Sequence, residues 1–516
     1  MRPMVSKIVL PLLLVAFCLT AYHATLAPSI TWANDGVDSG DLVTAAYTLG
    51  IAHPPGYPLF TLIAKLFTLL PTGDVAYRVN LMSAVLAALT VALLYYAVLL
   101  LCPRGIDTSG MAIIAAASAL LLGFSRTFWS QAIIAEVYSL HALLTALTVL
   151  LATLYRRTKH QRWLWLLGLT LGLGLSNHLS ILLLVPGTLY FVLSVEPRRP
   201  SAYLGMGAFL LLGLSFYVYL PLRSAQHPAL NWGAPHTWSG FWWTVSARIY
   251  GDYVLGLPLT HLPVRTASWL GMLSRQFSWI GFALGLVGLW DLWEKDREWL
   301  AFSLISFAAV VTYSITYNTT DSYVYLIPSY LLFAVWMARG SYYLILEILQ
   351  PWTRKNRDAA SRSSRPIWPF TLALLLLPVL SLAANYSAVD LSNDTEASDY
   401  AAQVLAQTTR DALIVADTDG HIFALWYLRY VQATEPAPVV VAKGLLHYRW
   451  YKDTLRRNHP EVIIPDREDA PQDQLISFID ANLPYRPVYL TDPDDRILGH
   501  YAFSQVDTLY RLEVKK

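Results

Sequence analysis

The chain has 516 residues, of which 55% are hydrophobic and 14% charged, with a mean hydropathy of +0.42. That charge is too sparse for a water-soluble surface of this size, and the apolar residues fall in blocks near the roughly 20 residues that cross a bilayer. A formal net charge of +2 leaves no basic surplus for nucleic acid, and Cys18 and Cys102, both in apolar blocks, argue against a disulfide framework or a cysteine metal site.

In chain order the apolar blocks predict eleven spans, near 8–29, 75–101, 111–125, 131–154, 163–176, 179–194, 202–221, 267–292, 299–316, 323–346 and 367–386. His23 to Ala27 offers the small residues of a signal-cleavage site. The apolar run from Ile8 to Ala27 is longer than the roughly 7–15 residues of a signal core, which favours an uncleaved first span. Basic residues fix the direction. Arg2 and Lys7, Arg104, Arg156 to Arg162, Arg198 and Arg199, Lys295 and Arg297, and Arg354 to Arg365 all fall on one side if the spans alternate. By the positive-inside rule that side is cytoplasmic, as is the N-terminus. Arg357–Arg365 reads as a polar linker.

The loops on the opposite side are longer and rich in Asp, His, Asn, Trp and Pro, chiefly 30–74 and 222–266. From about Leu391 the character changes. Ala412–Ala416, Val439–Ala442, Val488–Leu490 and Thr508–Val514 read as strands, and Asp419–Val431 and Leu445–Asn458 as helices. This alternation predicts a small α/β domain with a mainly parallel sheet, residues 391–516, after a membrane domain of residues 1–390. Asp417-Thr-Asp-Gly420 reads as a turn after a strand, not a nucleotide fingerprint, and no internal repeat is visible.

Asp35, Asp38 and Asp41 lie within seven residues among turn-forming glycines, ahead of His53-Pro-Pro-Gly-Tyr57-Pro58, whose prolines fix a bent backbone. Such a cluster is either a solvated linker or a site. Arg223, at the end of a span, is an interface anchor or a cation gripping a phosphate bidentately. Glu136 and His178 are ionisable groups in or at the edge of apolar spans, which marks them as candidates, although His178 also suits a hydrogen-bonded helix end. Asp321 caps the tenth span or faces a site. The histidines lack zinc-ligand spacing, so no metal is expected.

The string Asp38-Ser-Gly-Asp41…His53-Pro-Pro-Gly-Tyr57-Pro58 resembles the opening signature of a bacterial and animal family that belongs with the GT-C glycosyltransferases. Its animal members are protein O-mannosyltransferases. Trp129-Ser-Gln-Ala…Glu136-Val-Tyr138, Gly172-Leu-Gly-Leu-Ser-Asn-His178 and Tyr219-Leu-Pro-Leu-Arg223…Asn231-Trp232-Gly233 are similar too, in order over most of the first 250 residues. One departure is Asp41, where the signature carries Glu; its reach is a methylene shorter. The resemblance implies a GT-C-like, polytopic α-helical membrane protein of the bacterial plasma membrane. It would move a hexose such as mannose from a polyprenyl-phosphate donor, without a cofactor, to a protein or glycan acceptor. It also implies an acidic base in the first outer loop, Asp38 first and Asp41 second. His53, Tyr57, Glu136, His178, Arg223, Asn231, Trp232 and Asp321 would bind donor or substrate.

The chemistry agrees on its own terms. A lipid phosphate is a good leaving group, so one carboxylate suffices to take the acceptor's proton during direct displacement, which inverts the anomeric centre. Arg223, His53 and His178 are on the correct side to meet the growing phosphate charge. A polymerase or ligase of lipid-linked glycans would share the donor but use a larger acceptor. A transporter or flippase would need charged or broken helices at mid-membrane.

Overall fold

The computed structural model describes residues 5–101, 108–196, 199–349, 368–432, 437–465, 471–492 and 494–515. Cys102, the Arg357–Arg365 linker and the basic residues Arg2, Arg104, Arg198 and Arg354 to Arg365 lie outside them. Among the described residues seven helices are long and apolar enough to cross a membrane: Lys7–Ala24, Val75–Leu101, Tyr138–Thr158, Pro200–Ser224, Arg297–Thr316, Ser322–Leu349 and Thr371–Val389. The chain is a multi-pass membrane protein; these seven, or eight if Ser109–Gly123 and Arg126–Ala132, bent by 69°, form one broken span, do not account for all eleven expected spans.

The other expected spans fall short for local reasons. The Gln161–Asn177 helix has 17 residues, and 179–194 divides into a 3-10 turn, Leu179–Leu184, and a short helix, Val185–Leu193. The Leu262–Lys295 helix breaks at Ser278 (φ 60°, ψ 167°) and carries Arg265, Arg275, Asp291 and Glu294. The expected 131–154 span is interrupted after Ala132 and resumes at Tyr138, so Glu136 sits in the break rather than in a helix.

Helices approach closely where side chains vanish, as expected in lipid, where packing rather than hydrophobic burial joins helices. A Cβ on Gly288 would lie 1.8 Å from the Trp336 carbonyl oxygen, and one on Gly340 the same distance from that of Leu284. The Leu262–Lys295 and Ile327–Tyr343 helices therefore touch backbone to backbone. At one end of the bundle charged groups tie the helix termini together. Arg339 pairs with the fully buried Asp291 and donates to the Leu101 carbonyl (2.9 Å). Arg156 meets Asp296 (2.6 Å) and Glu298 (3.2 Å), and Lys295 meets Glu347 (2.8 Å). The loops carrying the candidate site residues lie at the opposite ends of these helices.

The C-terminal segment forms a five-stranded sheet from β1 (Leu413–Ala416), β2 (Val439–Ala442), β3 (Val488–Leu490), β4 (Ala502–Val506) and β5 (Leu509–Glu513), in the order β2-β1-β3-β5-β4. β1 pairs in parallel with β2 and β3, whereas β5 is antiparallel to β3 and β4, so the sheet is mixed rather than mainly parallel. β4 was not expected. Its largely exposed residues, such as Ser504 and Gln505, lack the apolar run that marks β1–β3.

The sheet shares one hydrophobic cluster with residues of the 30–74 and 222–266 loops. Leu42, Val43, Ile51, Tyr57 and Trp232 pack with Ile414, Phe423, Trp426 and Val440. The contact is closest at Gly40, in the Ser39–Thr48 helix, where a Cβ would lie 2.5 Å from the Phe423 carbonyl oxygen in the Asp419–Tyr427 helix. Gly40→Ala therefore forces the two helices apart. The expected cost is about 1–3 kcal/mol, read as a fall of several degrees in the thermal unfolding midpoint. An unchanged midpoint would mean that the two helices are not in contact.

Candidate functional site

The site is built on the turn between helices Ser39–Thr48 and Pro58–Thr68. Leu49 ends the first helix in the left-handed region (φ 53°), and Gly56 (φ 88°) and Tyr57 (φ 41°) reverse the chain before Pro58 opens the second. Gly56 is the residue type that enters this region without strain. The turn is tied to a distant loop. Ile51 N–H donates to the Leu230 carbonyl (2.9 Å), Ile51 bridges Asn231, and the Tyr219 hydroxyl donates to the Gly50 carbonyl (2.8 Å).

Asp41 is fully buried, and its carboxylate accepts three N–H groups: the His53 backbone (2.9 Å), His53 Nδ1 (2.8 Å) and Trp232 Nε1 (3.0 Å). On its far side, His53 Nε2 faces Asp38 Oδ2 (3.4 Å) and the Tyr57 hydroxyl (3.1 Å). The imidazole is thus gripped between two carboxylates. Burial alone would push it down, but Asp38 and Asp41, with Asp419 beyond, hold it up to about 9. Desolvation by the surrounding protein pushes Asp38 up to about 6, against the pull of His53 and with the help of Asp419, Asp41 and Asp321.

Asp38 opens onto a cavity of about 570 Å³, a size suited to a small-molecule substrate. Asp35, Asp38, Asp321 and Asp419 supply four carboxylates to its wall. Seven tyrosines also line it, namely Tyr57, Tyr138, Tyr250, Tyr253, Tyr313, Tyr317 and Tyr325, together with His53 and His178. Leu179, Leu182, Leu183 and Val254 form an apolar stretch of the same wall. His178 Nδ1 accepts the Ser180 backbone N–H (3.2 Å) and meets the Ser180 hydroxyl (2.7 Å), which directs its proton to Nε2. The Tyr57 and Tyr325 rings pack on it at 6.1 and 5.5 Å. His178 is therefore both a helix-end histidine and a cavity residue.

Asp38, His53, Tyr57, His178 and Asp321 come together on the cavity wall, and Asp321 makes no side-chain capping bond to the turn it precedes. The other candidates stand elsewhere. Asp41, expected as a second base, is shut behind His53 and orients that ring instead. Arg223 does not line the cavity, contrary to its expected role as a phosphate grip. It donates to the carbonyls of Leu49 (2.7 Å) and Thr48 (3.2 Å) and to the Gln226 side chain, capping the end of the Ser39–Thr48 helix. Asn231 and Trp232 lie behind the wall, as does Glu136, which is buried with Oε1 unpartnered. Sequence reasoning places Asp419 at the junction of a turn and a helix without assigning it to the site, and does not single out most of the tyrosines. Asp419 is the first residue of the Asp419–Tyr427 helix, and burial pushes its carboxyl up, opposed by His53.

The geometry defines a multi-pass membrane protein with an acidic, tyrosine-lined cavity at the ends of its helices. Residues 38–201 match a family model described as the Protein O-mannosyl-transferase TMEM260 N-terminal domain. The chain is 30% identical to Protein O-mannosyl-transferase TMEM260 of Mus musculus over 83% of its own length and 62% of that protein's. It is 24% identical to Protein O-mannosyl-transferase tmem260 of Dictyostelium discoideum over 94% of its own length and 64% of that protein's. The chain thus spans less than two thirds of either relative. Among solved structures it is similar to the Archaeoglobus fulgidus oligosaccharyltransferase in complex with Zn and sulfate. The TM-score is 0.48 at 11% identity, covering 84% of this chain and 62% of that one. It is also similar to the S. cerevisiae protein O-mannosyltransferase Pmt1-Pmt2 complex bound to the sugar donor. That TM-score is 0.34 at 18% identity, covering 43% of this chain and 34% of that one. Neither score establishes a shared fold.

The charge balance around His53 can be tested directly. Asp41→Asn removes one of the carboxylates that oppose burial, so the His53 titration midpoint should fall from about 9 toward or below its ordinary 6.5. Histidine-selective NMR of the full chain reads it. A midpoint still near 9 would mean that Asp41 does not hold the ring's charge.

Proposed function

We propose that this chain is a GT-C-type glycosyltransferase that moves a hexose, mannose by the names of its relatives, from a polyprenyl phosphate to a hydroxyl of an acceptor protein. The observation that carries the reading is Asp38. It is a carboxylate on the wall of a closed-in cavity, held by a buried histidine that a second carboxylate orients. The match of residues 38–201 to an O-mannosyltransferase family model begins at this residue.

In this mechanism the acceptor oxygen attacks the anomeric carbon and Asp38 takes its proton. The bond from that carbon to the phosphate oxygen breaks in the same step, and the phosphate leaves with the electron pair. Attack opposite the leaving group inverts the anomeric configuration. The lipid chain would lie along Leu179, Leu182 and Leu183. The neutral donors His178 Nε2–H and the tyrosine hydroxyls would meet the charge growing on the phosphate, because no arginine or lysine among the described residues lines the cavity. The carboxylates of Asp35, Asp321 and Asp419 suit the sugar and acceptor hydroxyls, which are donors. The position of the cavity, at helix ends rather than in mid-bundle, favours transfer over transport. We place the C-terminal segment, residues 391–516, on the same exterior side as the cavity.

Two measurements test the reading. Asp38→Asn should lower transfer by about 10²–10⁴-fold while labelled polyprenyl-phosphate mannose still binds; full activity would remove Asp38 as the base. In the native protein kcat/KM should rise as pH climbs through about 6, where Asp38 loses its proton, and fall again through about 9, where His53 loses its own. Activity undiminished at pH 4 would contradict the proton acceptor assigned to Asp38.

A further inference from the structure

A second cavity, about 920 Å³, lies on the other side of Trp232 from Asp41. Its walls are the Asn231–Thr237 turn, the Trp238–Val245 helix with Arg248 beyond it, and the Arg449–Asn458 helix of the C-terminal segment. Arg248, Arg449, Arg456 and Arg457 line it against one carboxylate, Asp453. That carboxylate meets Arg456 at 3.1 Å and Arg449 only at 3.9 Å. Arg248 is exposed and has no ion-pair partner among the described residues. The lining of the groove therefore carries a surplus of positive charge.

Its floor is aromatic. Trp243, Tyr448 and Trp450 pack with ring centroids 5.4–5.8 Å apart. Beside them, Trp450 Nε1 and Asn231 Oδ1 are buried without hydrogen-bond partners, and Asn231 is 5% exposed. Unpaired buried donors and acceptors are costly. Neither atom reaches the groove's surface, so an occupant is recognised by the arginines and the rings. The rings give flat surface for side chains, and the arginines pair with carboxylates bidentately. Trp232 joins this groove to the catalytic cavity: its ring packs on Trp450 at 5.8 Å while its N–H holds Asp41.

We propose that this groove binds an acidic stretch of the acceptor polypeptide, steering it toward the neighbouring cavity. The inference rests on the reading that the acceptor is a protein, and its test separates the two. The full chain in neutral-lipid nanodiscs is titrated with a fluorescein-labelled Glu/Ser peptide and with the matching Gln/Ser peptide, followed by anisotropy. Arg248→Glu with Arg449→Glu should weaken the acidic peptide by about tenfold or more and leave the neutral peptide unchanged. Affinity of the native protein should fall as salt is raised. Turnover of the donor to water should be unaffected, since neither arginine touches the cavity. Unchanged affinity for the acidic peptide in the double variant would overturn the proposal. So would loss of binding to phosphatidylglycerol vesicles with peptide binding intact, which would make the groove a headgroup site. Charge-dependent peptide binding without sugar transfer would support the groove and sink the transferase reading instead.

Discussion

A carboxylate with no exposed surface must be matched by donors, and Asp41 has three: the backbone and ring of His53 and the indole of Trp232. Leaving such a group unpaired would cost several times what an ordinary hydrogen bond contributes. The requirement fixes much else. It sets the path of the His53–Pro58 turn and draws the 230–232 loop onto residue 51. It also presents the far nitrogen of the imidazole to Asp38.

The electrostatics that follow constrain how the proposed anionic donor could be bound. Four carboxylates face the cavity, and the positive charge within reach is His53, between Asp38 and Asp41. Arg223 faces the other way, onto helix-end carbonyls. Under the proposed mechanism the carboxylates serve hydroxyl groups, and the phosphate is met by neutral N–H and O–H donors beside an apolar wall. Neutral donors stabilise charge as it develops without binding the ground-state anion as tightly as a guanidinium would. That difference is how a site favours a transition state over its substrate.

Much of this is legible in the sequence alone. The apolar blocks mark the membrane class, and the density of acids before His53-Pro-Pro-Gly-Tyr57 marks the cavity's core. What cannot be read there is decided by contacts distant in sequence. Spacing alone puts Asp41 nearer His53 than Asp38 and does not say which of them faces a cavity. Trp232, 191 residues further on, captures Asp41 and leaves Asp38 facing the cavity. Asp419 opens an expected helix, but only the packing of Phe423 on Gly40 brings that helix to the site. Arg223 misleads because a cation at a span end looks the same whether it faces lipid headgroups or a helix terminus. Some expected spans are not matched by long apolar helices where a helix stops at 17 residues, a 3-10 turn intervenes or a mid-helix break interrupts a run that composition alone makes continuous.

The most direct test is an experimental structure of the full chain with a non-transferable polyprenyl phosphonate of mannose. The phosphonate should lie beside His178 and the tyrosines, and the lipid along Leu182 and Leu183, with the opposite face of the anomeric carbon open toward Asp38. A phosphonate seated against Asp38, or a lipid bound outside this cavity, would contradict the assignment of Asp38 as the base.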